Sequence, residues 1–492
     1  MPKRNNKVKA SDSKLQSTKK RNHSHDFLAE EESSIRSNLL SWYDQNKRDL
    51  PWRRYANEED PNKRGYAVWV SEVMLQQTQV ATVIDYYNRW MEKWPTLKDL
   101  AAATLEEVNE CWSGLGYYSR GRRLHEGCKK ILEELDGNMP TSASKLQKEL
   151  PGVGRYTAGA IASIAFKEKT GVVDGNVIRV FSRLRAIGAD TTTNVVIDKF
   201  WQLANSLVDG ERPGDLNQAS MEFGATVCTP KSPSCSNCTL NEYCRAYKQV
   251  EEYNKKSTEL LNAKLNNSKP SQIFEILDIE NCELCLSSEV PWDPALGVCN
   301  YPMKPKKKET KEEKFATFIV QRNNPDDEQQ FLIVQRPKTG LLAGMWEFPN
   351  IELTLEAKSN TVTNEFLSEK LGLSKLDNRK EIGEVNHKFS HRYHTYIVES
   401  YVCEDTESDL VESIKLNGQA SRWVTKDEFE EAAMPTAMRK ILKLYEDSLK
   451  TISQAAKKRK LGNASSQVKN QRTMDSFLNQ RIKKKLNFVQ YN

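Results

Sequence analysis

The chain has 492 residues, 38% hydrophobic and 28% charged, a length that calls for more than one core, and no run of about 18 apolar residues offers a membrane span. Its net charge of +6 sits at the ends: residues 1–22 hold eight Lys/Arg against one Asp and residues 449–492 eleven against one, so the tails carry +17 and the chain between them −11. That distribution excludes a uniformly basic nucleic-acid coat, and contact with a polyanion in the globular part must come from local patches or backbone amides.

Residues 1–30 open with MPKRNNKVKASDSKLQSTKKRN, which lacks the apolar run of a secretory leader and reads as a basic disordered tail. A reducing compartment is therefore expected, in which the cysteine groups at 228–244 and 282–299 point to metal rather than disulfides. Residues 31–249 read as an all-α domain, with apolar residues at helical spacing in Trp69, Val73, Val80, Val83, Tyr87 and again in Val177, Val180, Phe181, Leu184. Residues 250–313 are polar and interrupted by Pro and Lys runs, a connector holding a small cysteine element. From 314 to 447, short β-rich runs (FATFIVQR, QQFLIVQR, YHTYIVESYV) alternate with helical stretches such as NEFLSEKLG, which predicts an α+β domain. Residues 448–492, with KKRK and RIKKK, read as a second disordered tail.

Four features carry chemistry. Glu72 lies in WVSEVMLQQTQ, where apolar neighbours would desolvate its carboxyl and suit it to general acid work; by itself it also reads as a solvated helix-face carboxylate. The segment Leu150–Ala158 (LPGVGRYTA) places Gly152 and Gly154 between helical patterns, so that amides at a helix start point at a phosphate, although a plain tight turn has the same residues. Asp174-Gly175-Asn176 precedes another helical run, and Asp174 reads equally as its N-cap. Cys228, Cys235, Cys238 and Cys244 form C-x6-C-x2-C-x5-C, enough thiolates for a four-iron cluster or a structural zinc site.

The order of these features resembles the endonuclease III superfamily of DNA glycosylases over roughly residues 31–249, and the run around Glu72 resembles the MutY family of adenine DNA glycosylases, in its eukaryotic branch. The resemblance implies a multidomain protein: an all-α helix-hairpin-helix glycosylase domain with a 4Fe-4S cluster on the four cysteines, plus an α+β Nudix-like (MutT-like) domain. It implies that Glu72 protonates adenine N7, that Asp174 stabilises the oxocarbenium-like sugar, and that Tyr156 and Asn176 orient them. Bifunctional relatives such as thymine-glycol lyases carry a Lys nucleophile where this chain has Tyr156, so a monofunctional enzyme is expected.

Lesion reading is expected of Gln76, Gln77 and Thr78, of Tyr117 in GLGYYSR as a wedge, and of Phe389, Ser390 and His391 in a loop resembling that of the MutY C-terminal domain. The Nudix-like domain carries GLLAGMWEFP, but residues 365–372 (EFLSEKLG) lack the paired metal carboxylates, so nucleotide hydrolysis is not expected. Cys282, Cys285 and Cys299 resemble a zinc-binding connector with His25 as fourth ligand; free thiols remain the alternative.

Gln471, Met474, Phe477 and Leu478 resemble a PCNA-interacting peptide. The implied partners are double-stranded DNA with an adenine:8-oxoguanine mispair, the PCNA clamp and, by family resemblance, the checkpoint clamp and an abasic-site endonuclease. A monomeric, non-membrane, nuclear protein with a possible mitochondrial pool is expected. A non-catalytic lesion sensor is the rival of another class, against which the pair of Glu72 and Asp174 speaks.

Overall fold

The computed structural model describes residues 24–265, 282–287, 290, 292–304, 310–324, 328–337, 340–353, 366, 376–389, 392–403, 419–451 and 454. The helices run α1 (Ala29–Asn46), α2 (Pro61–Leu75), α3 (Val80–Lys93), α4 (Leu97–Ala102), α5 (Leu105–Trp112), α6 (Ser119–Glu134), α7 (Ala143–Glu149), α8 (Arg155–Phe166), α9 (Gly175–Arg185), α10 (Asn194–Leu207), α11 (Pro213–Thr226) and α12 (Arg245–Leu265). The strands are β1 (Lys311–Asn323), β2 (Gln329–Gln335), β3 (Trp346–Glu347), β4 (Asn350–Glu352), β5 (Leu376–Lys388), β6 (Arg392–Cys403) and β7 (Ser421–Val424). No helix among the described residues is long and apolar enough to cross a membrane.

The chain groups into two compact units, one of Met1–Asp49, Pro140–Glu149 and Val153–Lys306, the other of Leu50–Met139, Leu150–Gly152 and Lys307–Asn492. In the first, α1, α9, α10 and α11 bury Ile35, Leu39, Tyr43, Phe181, Phe200 and Phe223 in one core. Each such side chain contributes about 1.5–3 kcal/mol on leaving water. Two expectations are corrected here. His25 and Phe27, placed in a disordered tail by the sequence, are buried, with Phe27 edge-on to Phe181. The helix α12 runs through the expected boundary at 249/250, because its polar residues keep helical hydrogen bonding while the apolar ones are sparse.

The second unit joins α2–α6 with a seven-stranded sheet of order β3-β2-β1-β6-β5, to which β4 adds on β1 and β7 on β2. The strands β1 and β6 are parallel and the other pairs antiparallel. Both faces of β1 are covered: Ala316, Phe318 and Val320 meet Leu332, Val334, Phe366 and Tyr401, while Ile319 meets Ile333, Phe429 and the helix 436–451. Two-sided burial explains why FATFIV reads as a continuous apolar run rather than an alternating one. Among the helices, local signals act as expected: Asp60 caps α2 by accepting from the Asn62 amide at 2.8 Å, with Pro61 at its first position.

Close approach of α11 to α8 depends on Gly214. A Cβ there would stand 2.6 Å from Ile164 Cα and 2.7 Å from the Ser163 carbonyl oxygen, backbone that has no room to yield. Gly214→Ala is therefore expected to destabilise the chain by roughly 1–3 kcal/mol, read as a lowered melting temperature, with an unchanged value arguing against this contact.

Candidate functional site

In the first unit the site grows from the start of α9. Asp174 is the N-cap: its Oδ1 accepts from the Val177 amide and its Oδ2 from Asn176 Nδ2, both at 2.7 Å. The N-cap reading was thus correct as local structure, and Asn176 is brought to Asp174 as the family motif implied. Burial raises the Asp174 carboxyl above its ordinary value of 3.8, while those two donors pull the other way.

Asn176 is held in turn by Arg179, whose Nη2 donates to Asn176 Oδ1 and to the Gly224 carbonyl at 2.7 Å, and whose Nε donates to the Cys228 carbonyl at 2.8 Å. A continuous path of hydrogen bonds therefore runs from the first cysteine of the loop to the Asp174 carboxylate. Arg179 and Gly224 were not singled out in the sequence; the period of α9, which puts 179 one turn after 175–176, is the signal that would have found Arg179. Tyr156, on α8, donates its hydroxyl to Met221 Sδ at 3.2 Å. The turn before it has Gly152 at φ +76, and Gly154 leaves α8 without a side-chain cap, so the first amides of α8 are presented beside two exposed glycines.

The four cysteines line one space with Val180, Leu184, Phe223, Leu240 and Val298. Among the described residues, the group of three ligand atoms lying within 4.8 Å of one another is His25, Cys282 and Cys285, and no three of the four loop sulfurs form such a set. Four thiols around one space are a donor set that fits a four-iron cluster and equally a zinc ion. Burial pushes the Cys238 thiol up to about 11 and that of Cys244 up to about 12, so thiolates there need cationic company. The buried Arg183 supplies part of it, donating to Cys228 Sγ at 3.3 Å and to the carbonyls of Thr229 at 2.8 Å and Tyr301 at 3.0 Å.

The connector cysteines divide. His25 Nε2 stands 3.5 Å from both Cys282 Sγ and Cys285 Sγ, while its Nδ1 meets the Arg185 carbonyl at 2.8 Å. Donation by Nδ1 leaves the Nε2 lone pair for a metal, and ligand atoms around zinc stand about 3.6 Å apart, so these three residues could hold the ion. Cys299, grouped with them in the sequence, lies elsewhere: its Sγ is 3.6 Å from Arg183 Nη2, and it packs against the same small core of Ala246, Val298 and Tyr301 as Cys235 and Cys244. The reason is the short helical turn Gly297–Asn300, which packs Val298 and Cys299 against α12 rather than toward His25.

In the second unit Glu72, 6% exposed, lies in the last turn of α2 between the buried Trp69, Val73 and Met74. Gln76 caps this helix, Gln77 follows in the left-handed region at φ 56, and Thr78 Oγ1 lies 3.3 Å from the Gln76 carbonyl. Tyr117, at φ 50 and 42% exposed, opens onto a cavity of about 390 Å³. Phe389, in the turn from β5 to β6, lines the same cavity with Arg122, Leu341, Leu342 and Lys388. Ser390, His391 and the peptide 471–478 lie outside the described residues.

Residues 70–206 match the HhH-GPD superfamily of base excision DNA repair proteins and residues 318–444 the NUDIX domain. The chain is 49% identical to the adenine DNA glycosylase of Mus musculus over 92% of this chain and 86% of that one. It is 48% identical to the adenine DNA glycosylase of Homo sapiens, covering 92% of this chain and 82% of that one. Among solved structures, the C-terminal domain of mouse MUTYH in complex with human PCNA matches with 33% identity and a TM-score of 0.25, covering 28% of this chain and 89% of that one.

The metal geometry gives a direct check. In protein purified with zinc supplied, His25→Ala and Cys282→Ser should each lower the zinc bound per chain while Cys299→Ser leaves it unchanged; equal contents in all three would remove the site.

Proposed function

The chain belongs to the adenine DNA glycosylase family, base-excision repair hydrolases of the N-glycosyl bond, and we propose that it removes adenine paired with 8-oxoguanine, and adenine opposite guanine, without cleaving the strand. Removal of such adenines prevents G:C to T:A transversions. The observation that carries the lesion reading is the cavity that Tyr117 and Phe389, 272 positions apart in sequence, line together beside Lys388 and Arg122. Rings and apolar walls suit a nucleobase, and the cations suit its phosphates. 8-Oxoguanine carries an N7–H donor where guanine has an acceptor, so Gln77 and Thr78 oxygens, with Ser390 and His391 of the loop, supply what discriminates.

Adenine leaves the stack at a cost of a few kcal/mol. Glu72 protonates N7, the C1′–N9 bond breaks with its electron pair going to the base, and water adds at C1′ and gives its proton to the Glu72 carboxylate, which leaves an abasic site and restores the acid. Asp174, ionised and fixed by the Val177 amide and Asn176, stabilises the positive sugar. Tyr156 offers no amine, so no Schiff base forms. The amides about Gly152 and Gly154 hold the DNA backbone.

Cys228, Cys235, Cys238 and Cys244 would hold a 4Fe-4S cluster, whose part is structural or DNA-responsive, since hydrolysis moves no electrons between oxidation states. His25, Cys282 and Cys285 would hold zinc. The peptide Gln471, Met474, Phe477, Leu478 supports PCNA as a partner, and Lys457–Lys460 a nuclear address.

A duplex with one adenine opposite 8-oxoguanine tests the chemistry. Under single-turnover conditions, strand breaks should appear only after alkali, and Glu72→Gln and Asp174→Asn should each abolish them; breaks without alkali, or full activity in either variant, would contradict the assignment. Because the ionised Asp174 is needed and burial raises its pKa, the acid-side loss of excision should begin at a pH above that of an ordinary aspartate.

A further inference from the structure

The guanidinium of Arg120 is buried, 8% exposed, and joins two segments of the second unit. Its Nη1 donates to the carbonyls of Val73 at 2.8 Å, Met74 at 2.9 Å and Gln76 at 2.6 Å, the carbonyls that the end of α2 leaves without helical partners. Its Nη2 donates to the Gly116 carbonyl at 2.9 Å, the Leu115 carbonyl at 3.5 Å and Thr78 Oγ1 at 3.2 Å, and its Nε to the Tyr117 carbonyl at 3.3 Å. The same group lies 5.3 Å from the ring centres of Trp112 and of Tyr117.

Two physical points follow. Every hydrogen-bond acceptor it has among the described residues is neutral, so its charge is offset by the negative end of the α2 dipole and by the π faces rather than by a carboxylate. Burial lowers its pKa to about 10, which leaves it cationic at neutral pH. Second, both segments contain a non-glycine residue in the left-handed region, Gln77 at φ 56 and Tyr117 at φ 50. Such residues are strained and persist only where their surroundings over-determine them. Arg120 supplies hydrogen bonds to both strained turns.

We propose that Arg120 is a positioning residue that makes engagement of the lesion by Tyr117 and placement of the Glu72-bearing helix end a single mechanical event. It rests on the lesion reading above. The ring of Tyr117 cannot shift against an oxidised base without pulling on the guanidinium, and the guanidinium cannot shift without disturbing the last turn of α2. The base opposite adenine thereby affects the rate of excision, and not binding alone. A lysine keeps the charge but lacks the planar fork that reaches both segments.

The test compares full-length wild type, Arg120→Lys and Arg120→Gln in single-turnover excision of adenine opposite 8-oxoguanine and opposite guanine, together with melting temperature. The expected result is folded variants whose rate advantage for 8-oxoguanine falls by about tenfold or more, with a smaller loss opposite guanine. A folded Arg120→Lys with the wild-type ratio overturns the proposal. So does an equal loss opposite both bases, or failure of both variants to fold, since either marks a structural residue. Wild type without any preference would instead overturn the lesion reading itself.

Discussion

The first unit depends on the hydrogen bonds that three arginines of one helix make to backbone carbonyls. Arg179 holds the Cys228 carbonyl and Asn176, Arg183 holds the carbonyls of Thr229 and Tyr301, and the fully buried Arg185 reaches the carbonyls of Asp26 at 3.1 Å and Tyr243 at 2.8 Å and the carboxylate of Glu31 at 2.6 Å. The four-cysteine loop, the connector and the segment before α1 have few apolar residues of their own, and their carbonyls would go unpaired on burial. A guanidinium, with five donors in a plane, satisfies several carbonyls at once. Asp174 caps the same helix, so the element that fixes the cysteine loop also fixes the carboxylate proposed to stabilise the sugar.

The second unit uses the same device at Arg120 and adds a sheet whose two faces are both covered. Its cavity is built from the exposed parts of this frame: a left-handed turn carrying Tyr117, the turn at Leu341–Leu342, and the end of β5. The Leu341 carbonyl accepts from Arg336 Nε at 2.9 Å, so that turn too is anchored by a guanidinium. The surfaces proposed for recognition are turns whose carbonyls are held by guanidiniums, Arg120 at Gly116 and Tyr117 and Arg336 at Leu341.

Much of this was legible in the sequence. Helical spacing found α9 and, as one segment, the pair α2 and α3, which the turn at Gln76–Gln79 divides; the apolar runs found β1, β2 and β6, and the order of Glu72, the two-glycine turn, Asp174 and the four cysteines pointed to the family. What was not legible has physical causes. Arg120, Arg179, Arg183 and Arg185 are not singled out by the sequence, because nothing local distinguishes an arginine whose acceptors are carbonyls distant in the chain. Cys299 was grouped with Cys282 and Cys285 by proximity in sequence, whereas packing of Val298 beneath Ala246 and Tyr247 sends it to the other cysteine loop. His25 was named as a ligand, but its burial and that of Phe27 were not foreseen, since polar and charged neighbours make the segment read as a basic tail.

The central claim is that oxidised guanine is read in the cavity shared by Tyr117 and Phe389. Its most direct test is the affinity of wild type, Tyr117→Ala and Phe389→Ala for duplexes in which an uncleavable adenine analogue faces 8-oxoguanine or guanine, with each variant checked for folding. The account predicts that wild type prefers the 8-oxoguanine duplex and that each alanine variant loses most of that preference while still binding DNA. A preference that survives in both variants would contradict it.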